Sequence, residues 1–376
     1  MAGIYIHIPF CRKACTYCNF HFSTNLDRKN EFLQSLLKEI ELRKDFLNEK
    51  KIQSIYFGGG TPSVLSKSEL LSIFEKLSEY YDLNHLLEVS LEANPDDLTE
   101  AYIKDLSETP IDRLSIGIQS FNEKILQWMN RSHNSNQAVQ AIENAQKHGF
   151  EKLTVDLIYG VPGRPLPEFE KDLEKIRNYG IVHFSAYALT VEPKTLLAHR
   201  IKKGMEKPLD ETDTSEQFDF LMDYAQKHGY EHYEISNFAK PNWRAIHNSS
   251  YWKGVPYLGL GPSAHSFDGQ HRYWNISNNA IYHKKISTNE LPQEMEELTP
   301  IDQFNEYIMT GLRLSEGISI EKALSIFPEA EGELTKVISK MEKDGLLVCT
   351  SPDNCQLSRS GKHVADYISS ELMMVN

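Results

Sequence analysis

Three cysteines near the start of the chain, Cys11, Cys15 and Cys18, have a C-x3-C-x2-C spacing. Soft thiolates close together in a short loop are suited to holding metal. A cubane iron–sulfur cluster normally takes four such ligands. Three thiolates would leave one iron with an open coordination position, where a small molecule can bind and react. The spacing therefore favours a 4Fe–4S cluster with one reactive iron.

Two other interpretations of these cysteines stay open on spacing alone. Zinc could take the three thiolates together with His7 or His21, which gives a zinc-stabilised binding module. A disulfide framework is disfavoured, because the chain has 5 cysteines and shows no secretory signal.

The composition limits the class of protein. With 40 Lys and Arg against 53 Asp and Glu, the net charge of −13 argues against a general nucleic-acid binder. No apolar run approaches the roughly 18 residues of a membrane span, and MAGIYIHIPF lacks the features of a signal peptide. We therefore expect a cytoplasmic protein, with Cys349 and Cys355 as free thiols in a reducing compartment.

Hydrophobic periodicity predicts six strand–helix steps in the first part of the chain. The predicted strands are 4–10, 52–57, 87–91, 113–118, 153–158 and 183–189, and the helices are 27–47, 67–81, 99–107, one on each side of 130–132, and 169–178. Such alternation indicates an α/β fold with a parallel sheet. Six steps rather than eight favour a partial (β/α)6 TIM-like barrel, with its chemistry at the C-terminal ends of the strands.

From about residue 230 the rhythm changes to segments rich in Trp, Tyr, Gly and Pro. We expect a barrel domain at 1–229 and a smaller α+β domain at 230–376. Helices at 300–314, 332–344 and from 360, with a hairpin at 346–358, resemble a winged-helix fragment. The acidic charge favours a packing role for it over DNA binding.

Several glycine and polar residues fall near the predicted strand ends. Glycine lets backbone approach a ligand closely, and the spacing of Gly-Gly-Gly-Thr-Pro fits neither a dinucleotide-binding loop nor a P-loop. Each polar residue alone is more often a satisfied or surface group. Together they could bind ribose hydroxyls and a carboxylate, for which Arg131 is suited. The set is Gly59, Gly60, Thr61, Glu92, Gln119, Arg131 and Asp156.

The cysteine spacing, with an aromatic residue before the third cysteine, resembles the radical S-adenosylmethionine (radical SAM) superfamily. In that family the three cysteines hold a 4Fe–4S cluster, and the fourth iron binds the amino and carboxylate groups of SAM. The blocks YIHIPFC, SLEANP, RLSIGIQSF, MNRSH and DLIYGVPG resemble the branch that contains oxygen-independent coproporphyrinogen III oxidase. The SAM contacts implied by this resemblance are Tyr5, Tyr17, Gly59, Gly60, Thr61, Glu92, Gln119, Arg131 and Asp156.

Two departures separate this chain from the oxidase pattern. Phe20 stands where the oxidase has a further cysteine, and only four residues precede Tyr5, where the oxidase has a longer segment that helps form its substrate site. Both departures fit the oxidase-like relatives called HemW, which are heme chaperones.

A second signature agrees with that family. The segment His247-Asn248-Ser249-Ser250-Tyr251-Trp252 resembles its H-N-x-x-Y-W heme-binding motif. A neutral imidazole can ligate heme iron, and Tyr251 and Trp252 offer flat apolar area for a macrocycle. A lone histidine is more often structural, and the two aromatic residues could be core packing. His265 is a second candidate ligand.

The resemblance implies a heme chaperone that binds a SAM-ligated 4Fe–4S cluster and heme and hands heme to an acceptor protein. The alternative is a coproporphyrinogen III oxidase that cleaves SAM to a radical and decarboxylates its substrate. We expect no nucleic-acid partner, and transient membrane association through a partner is compatible with the hypothesis. The sequence leaves open the acceptor, covalent heme attachment, SAM cleavage and oligomeric state.

Overall fold

Six parallel strands, hydrogen-bonded in chain order, form the centre of the computed structural model, which describes residues 2–375. They are β1 (Ala2–Ile8), β2 (Ile52–Gly59), β3 (Glu88–Ala93), β4 (Arg113–Gln119), β5 (Lys152–Tyr159) and β6 (His183–Ala188). The connecting helices are α1 (Lys29–Leu42), α2 (Lys67–Ser78), α3 (Glu100–Leu106), α4 (Glu123–Trp128), α5 (Ser135–Lys147) and α6 (Leu166–Asn178). The predicted partial (β/α)6 barrel is confirmed.

Alternation along the strands gives the sheet one apolar and one polar face. On β3, Val89 and Leu91 belong to the apolar core under the helices, whereas Glu88, Ser90 and Glu92 point to the opposite, inner face because successive side chains alternate. A TIM barrel usually fills its interior with branched apolar side chains. The polar inner face is therefore a surface on which a ligand can be held.

Helix α1 is shorter than the predicted 27–47. After Leu42 the chain leaves the helical path, and the amide of Phe46 bonds to the carbonyl of Arg43 (2.9 Å) in a tight turn. The Arg43 side chain folds back to pair with buried Glu39 (2.9 Å) and with Asn275 (2.7 Å). These buried contacts fix Arg43, the residue at which α1 ends.

Strands from later in the chain extend the sheet at both edges, which the sequence did not predict. Next to β6 lie β8 (Asn237–Ala239) and β7 (Glu231–Glu234); next to β1 lie β9 (Tyr257–Leu260), β10 (His265–Phe267), β11 (His271–Asn275) and β12 (Gln293–Glu297). The helices of this region are α7 (Leu196–Lys202), α8 (Glu211–Lys227), α9 (Ile246–Trp252) and α10 (Asn279–Ser287). The domain boundary at 229/230 stays a prediction; the hydrogen-bonded sheet continues across it.

The rest of the chain forms a smaller α+β domain with its own apolar core and a separate sheet in the order β13-β15-β14. Its elements are α11 (Pro300–Arg313), β13 (Ile318–Ser319), α12 (Ile320–Ile326), α13 (Glu331–Lys343), β14 (Leu347–Ser351), β15 (Asn354–Leu357), α14 (Arg359–Lys362) and α15 (Ala365–Leu372). Within residues 2–375, no helix is both long and apolar enough to cross a membrane.

The expectation of free thiols at Cys349 and Cys355 is wrong. The two residues lie opposite each other in the β14–β15 hairpin and form a disulfide. The antiparallel register brings the two sulfur atoms together, which the separate positions in the sequence did not reveal. Cys11, Cys15 and Cys18 are free.

Candidate functional site

The loop that follows β1 carries the three free cysteines. The Thr61 hydroxyl donates to Cys11 Sγ (3.3 Å), and Arg131 Nη1 donates to Cys15 Sγ (3.2 Å). Burial raises the pKa of Cys11 to about 11, and the neighbouring Cys18 and Cys15 raise it further. The loop thus brings Cys18 and Cys15 close enough to Cys11 for their charges to affect it.

The donor set fits an iron–sulfur cluster, because three free cysteines share one loop and two of them accept hydrogen bonds from neighbouring donors. In the part of the chain that the structure describes, no three Cys, His, Asp or Glu side chains already stand at metal-binding spacing. The cysteine side chains would have to turn toward a bound cluster.

The histidines that could have completed a zinc site are engaged elsewhere. His7 Nε2 contacts the carbonyl of His21 (2.9 Å), and His7 Nδ1 contacts the hydroxyl of Tyr5 (3.2 Å). His21 Nε2 contacts Asn279 Oδ1 (2.7 Å). Burial lowers the pKa of His7 to about 4, so the ring is neutral at pH 7. This geometry favours cluster over zinc.

The end of β2 lies directly against the cysteine loop, and only glycine fits there. Gly59 has a φ of +102°, and a Cβ would lie 2.6 Å from the His7 ring. A Cβ on Gly60 would lie 2.6 Å from the carbonyl oxygen of Phe10. The missing side chains bring the β2 backbone against the loop, and the Gly59 amide donates to Glu92 Oε2 (3.2 Å).

Two half-buried carboxyl groups, Glu92 and Asp156, project from the inner face. The Tyr56 hydroxyl donates to Glu92 Oε1 (2.8 Å), and the Ser115 hydroxyl donates to Asp156 Oδ2 (3.1 Å). Burial raises the pKa of Glu92 to about 7, with a further contribution from Asp156. Burial also raises the pKa of Asp156 to about 6. Carboxyl groups with strongly raised pKa values cluster at functional sites.

Arg131 connects the cysteine loop to two strand ends. Its Nη2 donates to Asn94 Oδ1 (2.7 Å) and to the carbonyl of Gly117 (2.5 Å). Burial opposes its charge, but Tyr17 and Cys15 raise its pKa above the usual value. The buried Nε has no hydrogen-bond partner among the described residues. A planar cation with a free donor is suited to a carboxylate ligand.

Gln119 and the two aromatic residues complete the predicted set. Gln119 ends β4 in a left-handed conformation (φ +67°), at an irregularity in the β4–β5 register. Such backbone strain is found preferentially at functional sites. Tyr5 stacks against Tyr56 (ring centroids 6.2 Å apart), and Tyr17 packs against a small apolar cluster below the loop.

The structure gathers the predicted SAM residues at one end and along the inner face of the sheet. Asp156 is the exception to the strand-end pattern, since it lies in the middle of β5 and reaches the site from the inner face. Asn94, Tyr56 and Ser115 were missed by the sequence analysis. Asn94 stands beside Glu92 in the block SLEANP, and strand alternation on β2 and β4 would have indicated the other two.

The segment with the second motif forms α9, which docks at the opposite end of the sheet. The amides of Ile246 (3.0 Å) and His247 (3.1 Å) donate to the Glu88 carboxylate, as does Arg113 Nε (2.8 Å). Burial would raise the pKa of Glu88, but the Arg113 charge and the backbone amides outweigh burial and lower it. A buried ion pair thus fixes the start of α9.

His247 lies against the inner face of β2. Its Nδ1 contacts the Ser54 hydroxyl (2.9 Å), and its ring stacks on Tyr56 with centroids 5.1 Å apart. Burial lowers the pKa of His247 to about 4, which keeps the imidazole neutral. The cavity beside it holds about 10 Å³, far less than the roughly 300 to 1,000 Å³ of most ligand sites. A macrocycle therefore needs the α9 side of this cavity to open.

The other motif residues lie nearer the surface. Tyr251 is 40% exposed, Asn248 is half-buried, and the Arg313 guanidinium lies over the Trp252 ring at 4.8 Å. Simple core packing does not describe this pair of aromatic rings. His265 is exposed on β10, with its ring 6.3 Å from that of Trp274.

Comparison with known proteins finds matches in both parts of the chain. Residues 5–176 match the Radical SAM superfamily, and residues 298–364 match the HemN C-terminal domain. The heme chaperone HemW of Bacillus subtilis is 31% identical over 366 residues, covering 96% of each chain. HemW of Lactococcus lactis is 34% identical over 319 residues, covering 85% of this chain and 83% of the relative.

One solved structure matches along nearly the whole chain. Coproporphyrinogen III oxidase (HemN) from Escherichia coli aligns with a TM-score of 0.85 over 99% of this chain and 90% of its own. The sequence identity is 22%, so the match shows a shared fold.

Proposed function

Because the chain belongs to the HemW family of the radical SAM superfamily, we propose that it is a heme chaperone that passes heme to an acceptor protein. His247 carries the proposal. Its ring is neutral, Ser54 engages Nδ1, and Nε2 has no hydrogen bond among residues 2–375. An imidazole oriented through one nitrogen and free at the other is the usual form of a histidine ligand.

The cysteine end would hold the second cofactor, a 4Fe–4S cluster on Cys11, Cys15 and Cys18. When bound, such a cluster supplies an iron that can take the amino and carboxylate groups of SAM. Arg131 keeps Cys15 in place and offers its free Nε to a carboxylate. Glu92, Gln119 and Asp156 would hold the ribose hydroxyls, while the backbone of Gly59 and Gly60, Thr61, Tyr5 and Tyr17 would form the walls.

The proposal includes a partner and a location. The partner is a heme-accepting protein, and the chain would meet it in the cytoplasm. Residues 230–376 would form the domain that carries the heme motif, with the winged-helix-like end packing against the barrel. Arg359 of α14 already pairs with Asp219 (3.0 Å) on α8, which supports a packing role.

The cluster can be tested by iron content. Anaerobically reconstituted protein should hold about four irons, as a cubane does, and Cys11→Ala, Cys15→Ala or Cys18→Ala should each reduce this to near zero. The double variant Cys349→Ala/Cys355→Ala is the matched control and should keep its iron. Zinc without iron in the reconstituted protein would contradict the proposal.

Heme binding can be tested by titration with hemin, followed by the Soret band. His247→Ala should weaken binding at least about tenfold and change the band, because an axial ligand is lost. The exposed His85 provides the control, since His85→Ala should bind hemin like the parent. A full effect in His265→Ala with none in His247→Ala would make His265 the ligand instead.

The oxidase alternative has its own test. Phe20, 69% exposed, stands where the oxidase pattern has a cysteine. Cluster-loaded protein incubated with SAM, a reductant and coproporphyrinogen III should therefore form no protoporphyrinogen. Turnover at the level of a genuine oxidase would overturn the chaperone proposal.

A further inference from the structure

The two candidate cofactor ends meet through one side chain of β2. Tyr56 touches the motif histidine with its ring and a carboxyl group of the SAM end with its hydroxyl. We infer that Tyr56 is a positioning residue that couples the two ends, so that SAM bound to the cluster-loaded protein tightens heme binding at His247. This inference rests on the function proposed above.

At the heme-motif end, β2 supplies the wall against which the histidine is held. Ser54 and Tyr56 are two residues apart, so both side chains lie on the inner face. Ser54 engages His247 Nδ1, and the Tyr56 ring stacks on the imidazole with an interplanar angle of 27°. A ring held on one edge and one face keeps Nε2 in a fixed direction, which a metal ligand needs.

At the SAM end, the same tyrosine is part of a hydrogen-bonded chain. Its hydroxyl donates to Glu92 Oε1, and Glu92 Oε2 accepts from the Gly59 amide. Tyr5 also stacks on Tyr56, and its hydroxyl contacts His7 Nδ1. The orientation of Tyr56 therefore depends on groups that form the proposed SAM site.

The direction of the coupling follows from ordering. A ligand that uses Glu92 restricts its carboxylate and, through the shared hydrogen bond, restricts the Tyr56 ring and the imidazole stacked on it. A second ligand that binds the already ordered imidazole then loses less conformational entropy. We therefore expect SAM to improve hemin affinity by about fivefold, at the weak end of the usual range for coupled sites.

The test measures hemin affinity of cluster-loaded protein with and without saturating SAM. Tyr56→Phe keeps the ring that stacks on His247 and removes only the hydroxyl that reaches Glu92. Its hemin affinity without SAM is measured as its own reference, and SAM should no longer improve binding above that reference. Tyr102→Phe is the matched control, since its hydroxyl donates to the Leu65 carbonyl (2.7 Å) outside the site. It should keep the full effect of SAM.

A third variant separates coupling from simple loss of a contact. Ser54→Ala removes the hydrogen bond to His247 and should weaken hemin binding about tenfold, as changes to groups that orient a ligand do. The fivefold improvement by SAM should persist in it, because the path through Tyr56 is intact. Linkage also requires hemin to improve SAM affinity by the same factor in the parent and not in Tyr56→Phe.

The outcomes distinguish failure of the coupling through Tyr56 from failure of the proposed heme-binding function. Parent protein that binds hemin equally with and without SAM, or Tyr56→Phe that keeps the parent's response, overturns the coupling and leaves heme binding standing. Parent protein that binds no hemin at all overturns the proposed function, and the coupling with it.

Discussion

Glu88 and Glu92 lie four residues apart on β3 and point to the same inner face, yet their environments are opposite; Glu88 is buried and Glu92 is half-buried. Glu88 faces Arg113 and two backbone amides of α9, and its pKa is lowered. Glu92 has a tyrosine hydroxyl and one amide but no cation, and its pKa is raised to about 7. One carboxylate has a cation beside it, and the other has hydrogen-bond donors only.

The difference separates the end of the barrel where α9 is anchored from the end that is proposed to bind SAM. Glu88 contributes stability at neutral pH that is lost as pH falls through its lowered pKa. Glu92 acts in the reverse sense: the folded chain holds its proton more tightly than the unfolded chain, so stability falls as pH rises from about 4.3 to about 7. A residue that lowers the stability of the free protein in this way is typical of a ligand-binding site, where function is favoured over stability.

Removing the cation from the satisfied glutamate should have the largest effect on folding. Arg113→Met keeps most of the side-chain volume but leaves Glu88 buried without its partner, which should lower the free energy of unfolding by about 3 to 5 kcal/mol. Urea denaturation at pH 7 measures this. Arg359→Met, which breaks an exposed ion pair with Asp219, is the control and should lose less than about 1 kcal/mol. Equal losses would contradict the structural role of Glu88.

Glu92 has no cation beside it, so replacing it with a neutral residue should stabilise the cofactor-free protein. Glu92→Gln cannot ionise, so it avoids the penalty that the parent develops between about pH 4.3 and about pH 7. We expect it to exceed the parent by about 1 to 3 kcal/mol at pH 8 and to match it near about pH 4. The exposed Glu75 on α2 gives the control, since Glu75→Gln at the surface should change the free energy of unfolding by no more than about 0.5 kcal/mol.

The same variant tests the ligand-binding side of the comparison. Loss of the carboxylate should weaken SAM binding to cluster-loaded protein, and Asp156→Ala should do so as well, with iron content unchanged in both. A variant that is less stable than the parent at pH 8 but binds SAM normally would reverse the roles assigned to the two glutamates.

The sequence predicted the local features of this barrel and not its long-range pairings. Cys11, Gly59 and Glu92 each stand near the end of an apolar run, so periodicity alone brings them to one end of a parallel sheet. The contact between Ser54 and His247 joins residues 193 positions apart. It depends on β9 pairing with β1 and on α9 entering the barrel, and neither leaves a local signal.

The alternation of polar and apolar residues along β3 indicates the polarity of each face of the sheet, which the predicted strand bounds alone do not. In LEVSLEA the polar residues Glu88, Ser90 and Glu92 alternate with apolar ones, and this alternation by itself indicates a polar inner face. What alternation could not reveal is which glutamate meets a cation, because Arg113 comes from the next strand. That depends on the β3–β4 register, in which Ser90 lies beside Arg113.

The smallest expected effect concerns the hydroxyl that joins the two ends. Tyr56 donates to the Glu92 carboxylate, and a donor favours the ionised form, so Tyr56→Phe should raise the pKa of Glu92 above about 7. The Gly59 amide still donates, which limits the change to about one unit, or about 1.4 kcal/mol at pH 8. Carboxyl titration by NMR gives the pKa directly.

In a Glu92→Gln background the same Tyr56→Phe change should have no pH-dependent effect, because the titrating partner is gone. A pKa of Glu92 that does not move would mean that the hydroxyl and the carboxylate are not coupled, and the difference between the two glutamates would then rest on Arg113 alone.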